Sequence, residues 1–200
     1  MKLDIPAGEF AGYIFDCDGT LVDTMPLHYR AWAEAMRRAG LQEPLSEELF
    51  YSLGGMPTLK VASVMAAHYG LTIDRDRVFH EKEHLFLEMQ SEMKVIQPVV
   101  DFAKKLHGRK PMSVASGGPR VVVKKTLELM EISELFPVVV TPEDVQHGKP
   151  SPEMFLLAAK KMGVEPSHCL VFEDAEPGFR AAEAAGMKWV RVASRIVKKM

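Results

Sequence analysis

Four short apolar runs in this 200-residue chain are each followed by polar side chains suited to handling a phosphate group. Run 13–15 leads into Asp16 and Asp18, 112–115 into Ser116, 138–140 towards Lys149, and 170–172 into Glu173 and Asp174. If these runs are parallel strands, their carboxyl ends lie along one edge of a sheet. The four endings therefore predict one shared site.

The acids after the first run can perform phosphoryl transfer. In an extended segment Asp16 and Asp18 point to the same side, and close carboxylates repel each other unless a cation lies nearby. Mg²⁺ is the natural cation for an oxygen-only site. Asp16 can then attack phosphorus and form an aspartyl-phosphate. Asp18 can protonate the leaving oxygen and later take a proton from water, and Thr20 offers a hydroxyl near the transferring group.

The later endings supply phosphate and metal ligands. The Ser116 hydroxyl and the backbone N–H groups around Gly117 can hold phosphate oxygens, and Lys149 can offset the negative charge. Asp174 is expected to bind the metal directly, and Glu173 directly or through water. Each signal is weak alone, since Ser-Gly is an ordinary turn pair and a single lysine is most often solvated. We expect the metal ligands to be Asp16, Asp18, Asp174 and Glu173.

Two other interpretations of the first acidic segment fail. A calcium-binding EF-hand needs its glycine further from the second acid than Gly19, and a glutamate where this chain has Leu27. A cysteine phosphatase at Cys17 needs a phosphate-binding arginine shortly downstream, and none follows.

Composition narrows the class of protein. A net charge of −2 argues against a nucleic-acid partner, and two cysteines make neither a disulfide framework nor a zinc cluster. The N-terminal residues lack the apolar core of a secretory signal, and no stretch has the length of a membrane span. We expect a cytoplasmic protein with no membrane partner, as a monomer or a weak homodimer.

The elements that must position the site alternate between strand and helix in the second half of the chain. Helical patterns cover 119–130, 152–162 and 177–185, and a last strand covers 189–192. In the second helix Ser151 is the expected N-cap, Pro152 the first helical residue and Gly163 the residue after the end. This alternation predicts an α/β fold, with a parallel sheet covered by helices on both faces.

Residues 25–95 show no convincing strand. Three helical stretches are marked by Trp32, Ala35, Met36 and Ala39, by Val61, Val64, Met65 and His68, and by Leu85, Leu87, Met89 and Met93. We therefore expect a phosphotransfer core of residues 1–24 and 96–200, with a small helical domain of residues 25–95 inserted after the first strand.

These residues together resemble the haloacid dehalogenase superfamily over nearly the whole chain. Residues 16–24 resemble the family's nucleophile motif, and Ser116, Lys149 and the Glu173-Asp174 pair match its other three motifs in order. The resemblance implies a Rossmann-like core with a small α-helical cap, Mg²⁺ and an aspartyl-phosphate. The second acid, Asp18, favours phosphotransfer over dehalogenation.

Within the superfamily the chain resembles the β-phosphoglucomutase-like and fructose-1-phosphate phosphatase-like branch. The resemblance implies a substrate-binding set of Thr24, His28 and Trp32 near the cap hinge, Gly54, Gly55 and Met56 in a cap loop, and Arg120 in the core, besides Thr20 and Gly117. Mutases carry two cations in that loop, where this chain has Gly54 and Thr58, and the loss favours a phosphatase. Lys60 offers partial compensation, and Arg120 can replace a mutase lysine that is Pro119 here.

Three functions remain open. The first is a Mg²⁺-dependent phosphatase of a small phosphorylated metabolite, in particular a sugar phosphate. The second is a β-phosphoglucomutase-like phosphosugar mutase. The third is a non-catalytic phospho-receiver or binding module, against which Asp18 argues because a base beside an aspartyl-phosphate shortens its lifetime.

Overall fold

Five parallel strands form one sheet in the order β3-β2-β1-β4-β5 in the computed structural model, which describes residues 3–193. The elements are β1 (Gly12–Phe15), α1 (Met25–Arg38), α2 (Glu47–Ser52), α3 (Thr58–His68), α4 (Arg75–Glu88), α5 (Gln97–Leu106), β2 (Met112–Ala115), α6 (Arg120–Leu129), β3 (Val138–Val140), α7 (Glu153–Met162), β4 (Cys169–Glu173), α8 (Glu176–Ala184) and β5 (Lys188–Arg191).

Alternation along β1 explains why the sheet is covered on both faces. Phe15 belongs to a buried cluster that includes residues of α5 and α6, whereas Ile14 belongs to a second cluster with residues of α7 and α8. Successive side chains of a strand point to opposite faces, so an apolar run buries both. The predicted α/β fold is confirmed.

Strand register brings the carboxyl ends together. Phe15 pairs with Val114 of β2 and with Phe172 of β4. The residues that follow these strands, beginning with Asp16, therefore emerge side by side at one edge of the sheet. The predicted bounds of β2 and β3 are correct, β1 begins one residue earlier than predicted, and β4 and β5 differ from the prediction by one residue at each end.

Three predicted helix starts are corrected, and α8 covers Glu176–Ala184 where residues 177–185 were predicted. Helix α6 begins at Arg120 because Pro119 has an extended ψ of 141°. Helix α7 begins at Glu153, with Pro152 as its N-cap residue, and the Ser151 hydroxyl accepts a hydrogen bond from the Glu153 N–H at 3.4 Å. Gly163 follows α7 as predicted, in the left-handed conformation at φ 68°.

Helices α1 to α4 all lie between β1 and α5 and share a buried cluster of their own, which contains Trp32, Met36 and Met65. Helix α2 was not anticipated. The residues that mark the third helical stretch are not the buried face of α4, because Leu87 is 41% exposed and Met89 and Met93 lie beyond the helix end. The buried residues of α4 are Val78, Lys82, Glu83 and Phe86. The division of the chain into core and cap remains a prediction.

Within residues 3–193 no helix has both the length and the apolar composition needed to cross a membrane. The longest, α1 and α4, have 14 residues each.

Candidate active site

Asp16 is the first residue beyond β1, and it is 3% exposed. Its backbone N–H donates a hydrogen bond of 2.9 Å to the Phe172 carbonyl of β4, which continues the strand pairing by one residue. The backbone that carries the predicted nucleophile is thus held by a neighbouring strand.

Lys149 lies beside Asp16 although the two are 133 positions apart in the chain. Its Nζ lies 2.7 Å from Asp16 Oδ1 and 2.5 Å from Glu173 Oε1, and the residue is fully buried. Burial alone lowers the pKa of an ammonium group, but the two carboxylates outweigh it and raise the pKa of Lys149 above its ordinary value. Lys149 therefore stays charged, and it is not the solvated lysine that its sequence context alone would suggest.

Asp16, Glu173 and Asp174 form a carboxylate cluster whose oxygens lie within 4.8 Å of one another. Glu173 Oε2 accepts hydrogen bonds from the backbone N–H groups of Asp174 at 2.8 Å and Ala175 at 2.9 Å, while its Oε1 faces Lys149. Both Glu173 oxygens are therefore already engaged. This favours Asp174 over Glu173 as a direct metal ligand.

The electrostatics of the cluster fit a divalent cation. Burial is the largest cause that raises the pKa of Asp16 to about 8; Lys149 lowers it, and the charges of Glu173 and Asp18 raise it further. Burial, then Glu173 and Asp16, raise the pKa of Asp174. A cation among these oxygens would favour their ionised forms, and a donor set made only of carboxylate oxygens suits Mg²⁺.

Asp18 lies outside this cluster. Its Oδ1 accepts a hydrogen bond of 2.6 Å from the Thr24 hydroxyl and lies 3.1 Å from His28 Nε2, and its Oδ2 accepts one of 3.4 Å from the Ser116 hydroxyl. Burial raises the pKa of Asp18, but the charge of His28 and the hydrogen bonds from His28 and Thr24 outweigh it and lower the pKa to about 2. The Asp18 carboxylate is thus held by Thr24, His28 and Ser116, and both of its predicted roles, metal ligand and general acid or base, remain predictions.

The loop after β2, which contains Gly117, lies close to the loop after α2, which contains Gly55. The Gly118 N–H donates to the Ser116 hydroxyl at 3.2 Å, which orients it. A Cβ on Gly117 would lie 2.6 Å from the Gly55 carbonyl oxygen. The backbones at these two glycines are close enough that a side chain at Gly117 would not fit.

A cleft opens over the Asp16 carboxylate between the sheet edge and helices α1 to α4. Its lining includes the predicted site residues Asp16, Asp18, Ser116, Gly117, Asp174, His28, Trp32, Gly54, Gly55 and Met56. Five predicted site residues are not among the described lining residues: Thr20, Thr24, Lys149, Glu173 and Arg120. Thr20 is fully buried, and Thr24 acts on Asp18 through its hydroxyl.

The structure does not bring Arg120 to the cleft. Its guanidinium pairs with Asp144 and donates a hydrogen bond of 3.2 Å to the Val139 carbonyl. Arg120 thus ties the start of α6 to β3 and the turn that follows it. The neighbouring Pro119 lines the cleft in its place.

Two cleft residues were missed by the sequence interpretation. Lys82 and Glu83 of α4 line the cleft and are only 3% and 7% exposed. The signal was present, because Val78, Lys82 and Phe86 recur at every fourth position of a helix and so share one face. The apolar residues that mark this helical stretch in the sequence begin at Leu85, which lies on a different part of the helix surface.

Comparison with known proteins agrees with this geometry. The sequence model of the haloacid dehalogenase-like hydrolases matches residues 10–186. Fructose-1-phosphate phosphatase YqaB of Escherichia coli is 38% identical over 184 residues, which are 92% of this chain and 97% of that protein. A phosphorylated carbohydrates phosphatase of Thermotoga maritima is 30% identical over 179 residues, 88% of this chain and 81% of that protein.

Solved structures share the architecture. A β-phosphoglucomutase of Clostridium difficile superposes with a TM-score of 0.78 over 90% of this chain and 83% of its own, at 24% identity. At that identity the likeness concerns the fold alone.

The chain therefore belongs to the haloacid dehalogenase-like hydrolase family. Within that family it is a phosphoric monoester hydrolase, as expected from the second acid, Asp18, and from a cap loop without the two cations of mutases.

Proposed function

We propose that the chain is a Mg²⁺-dependent phosphatase of a small sugar phosphate that works through an aspartyl-phosphate on Asp16. The observation that carries the proposal is the position of Asp16, which lies at the floor of a cleft, 2.7 Å from a fully buried Lys149 and beside two further carboxylates. The two phosphatase relatives, which are named for fructose 1-phosphate and for phosphorylated carbohydrates, support the substrate class.

The proposed reaction has two steps, the formation of the aspartyl-phosphate and its hydrolysis, in which Asp16 and Asp18 take part. A carboxylate oxygen of Asp16 forms a bond to phosphorus while the bond to the sugar oxygen breaks, and Asp18 protonates the departing oxygen. Asp18 then takes a proton from water, which attacks phosphorus and releases phosphate and free Asp16. The pKa of about 2 favours the base form needed in the second step. The negative charge of a bound phosphate beside Asp18 would favour the acid form in the first.

Mg²⁺ and the basic groups would neutralise the developing charge. We propose Asp16 and Asp174 as direct ligands, with Glu173 holding Lys149 and the turn after β4 in place. When bound, Mg²⁺ would offset the charge of the phosphoryl oxygens. Ser116 and the backbone N–H groups of its loop would hold those oxygens, as would the Lys149 ammonium.

Residues 25–95 would act as the cap of this site. They supply one wall of the cleft, including Trp32 and the loop that contains Gly54, Gly55 and Met56. Closure over the substrate would exclude bulk water from the phosphoryl group.

A mutase is the alternative, and the charge of the cleft argues against it. Gly54 and Thr58 line the cleft where mutases carry cations, and Lys60 is exposed and is not among the described lining residues. A bisphosphate intermediate would leave its second phosphate without a partner there, and unpaired charge in a closed site is costly.

Phosphate release tests the proposal. Fructose 1-phosphate and p-nitrophenyl phosphate are incubated with the purified protein in Mg²⁺ and in EDTA, and products are followed by ³¹P NMR. We expect inorganic phosphate in Mg²⁺ and almost none in EDTA. An isomeric sugar phosphate formed only with added bisphosphate would instead favour the mutase. A stable phosphoprotein without release would favour the receiver.

A further inference from the structure

A buried ion pair forms part of the cap side of the cleft. Lys82 Nζ lies 3.0 Å from Glu83 Oε1, and the two side chains are 4% and 10% exposed. Both residues line the cleft, on the wall opposite the Ser116 loop. Lysine and glutamate side chains are almost never this buried unless they are paired. Because this pair lines the cleft, it affects which charged groups the cleft can bind.

The pair leaves the cap wall with little free positive charge. Among the described residues lining the cleft, only Lys82 and His28 have basic side chains. His28 faces Asp18, and Lys82 lies 5.8 Å from the Trp32 ring centroid with Glu83 beside it. The one lysine of the cap wall is thus already neutralised.

Glu83 also has an unused acceptor. Its Oε2 is buried and has no hydrogen-bond partner, although buried polar atoms almost always have one. Because Glu83 lines the cleft, the missing donor has room to come from a bound molecule. Neutral hydroxyl groups are suitable donors, whereas an ionised phosphate or carboxylate group has no proton to donate.

We infer that Glu83 determines substrate specificity: its free carboxylate oxygen accepts a hydrogen bond from a hydroxyl of the sugar, and its other oxygen holds Lys82, which leaves no unpaired lysine for a second phosphate at that end of the cleft. The substrate class is accordingly a polyhydroxylated monophosphate, not a bisphosphate. This inference rests on the proposed phosphatase function and narrows its substrate.

The first measurement uses the wild-type protein with Mg²⁺. Values of kcat/KM are compared for fructose 1-phosphate, fructose 1,6-bisphosphate and hexyl phosphate, which lacks hydroxyls. We expect the monophosphate of the sugar to exceed both others by about tenfold or more, as for a hydrogen bond to a charged group. Equal efficiency with the bisphosphate would overturn the inference, and so would equal efficiency with hexyl phosphate.

The second measurement uses Glu83→Gln, with Glu88→Gln as control. Glu88 lies on the same helix, is exposed, and is paired with His84. We expect Glu83→Gln to raise the ratio of kcat/KM for bisphosphate over monophosphate by about tenfold, because Lys82 then loses its carboxylate partner and can pair with the second phosphate, while Glu88→Gln leaves the ratio unchanged.

The outcomes separate the two proposals. Phosphate release by the wild-type protein with a ratio that Glu83→Gln does not change overturns the inference alone. No release from any substrate by the wild-type protein overturns the proposed function and the inference with it. The wild-type comparison decides the case if Glu83→Gln does not fold.

Discussion

At the scale of single residues, the site depends on charges that are buried together. Lys149 contacts both Asp16 and Glu173, so one lysine balances carboxylates from two strands. Such an arrangement is costly to desolvate and becomes very unfavourable when Lys149, the partner that both acids share, is removed. Substitutions of Asp16 and of Lys149 should therefore differ in their effects on turnover and on the free energy of unfolding, so the chemical and structural roles of the two residues can be measured separately.

Asp16→Asn should abolish turnover, because an amide cannot attack phosphorus as a carboxylate does. We expect phosphate release to fall by a factor of about 1,000 or more. The melting temperature should change little, since Lys149 retains Glu173 as a partner. Asp101→Asn, on the exposed face of α5, is the control and should retain full activity. Near-normal turnover in Asp16→Asn would remove Asp16 as the nucleophile.

Lys149→Ala should destabilise the fold as well as the reaction. Without the ammonium group, Asp16 and Glu173 remain buried and unpaired, and we expect the free energy of unfolding to fall by about 3–5 kcal/mol. Urea denaturation in EDTA measures this. Lys105→Ala, at an exposed position of α5, should change it by about 0.5 kcal/mol or less. An equally small effect at Lys149 would show that the pair contributes little.

At the scale of elements, the carboxyl end of β4 and the first turn of α8 are packed with almost no space between them. A Cβ on Gly178 would overlap the carboxyl group of Glu173. The same carboxyl group accepts hydrogen bonds from two backbone N–H groups of the turn that leads into α8. The helix therefore positions Glu173, and through it Lys149, by close approach.

Gly178→Ala should consequently be destabilising. In an open helix position alanine would be favoured over glycine by about 0.5–1 kcal/mol. Here we expect a loss of about 1–3 kcal/mol from overpacking, together with reduced kcat, because Glu173 must move. Denaturant unfolding measures the change in the free energy of unfolding. An increase in Gly178→Ala would contradict the prediction, because it would mean that α8 can shift to make room for the methyl group without loss of stability.

At the scale of the whole molecule, the cleft exists because two parts of the chain meet over the sheet edge. The core contributes the Ser116 loop and the acids, and the helices before α5 contribute the opposite wall. The two walls approach each other closely at Gly117 and Gly55. Catalysis by positioning depends on how closely they come together.

Gly117→Ala tests that closeness. Its Cβ would lie 2.6 Å from the Gly55 carbonyl oxygen, so the walls must separate. We expect kcat/KM for fructose 1-phosphate to fall by about tenfold to a hundredfold, as for displacements of about 1 Å. Gly118→Ala meets the Val123 side chain at 3.2 Å and should lower kcat/KM less. Equal effects in the two variants would contradict a role for close approach of the cap loop.

The parts of the candidate site that directly follow a strand in the sequence were predictable. Asp16, Ser116 and Asp174 follow strands whose apolar runs are visible in the sequence, and parallel strands place such endings together. Side-chain direction was less predictable. Arg120 is next to the Ser116 loop in sequence, yet its guanidinium pairs with Asp144, because that contact depends on how α6 packs on β3.

By itself, the sequence determined the α/β alternation, the order of the motifs and the identity of the acids at the sheet edge. These follow from the period of apolar residues and from motif order. Only the tertiary structure decided that Lys149 is fully buried between two carboxylates, that Asp18 faces Thr24 and His28, and that Lys82 and Glu83 line the cleft. The physical reason is that burial and ion pairing depend on residues far apart in the chain, whose contacts exist only once the helices have packed.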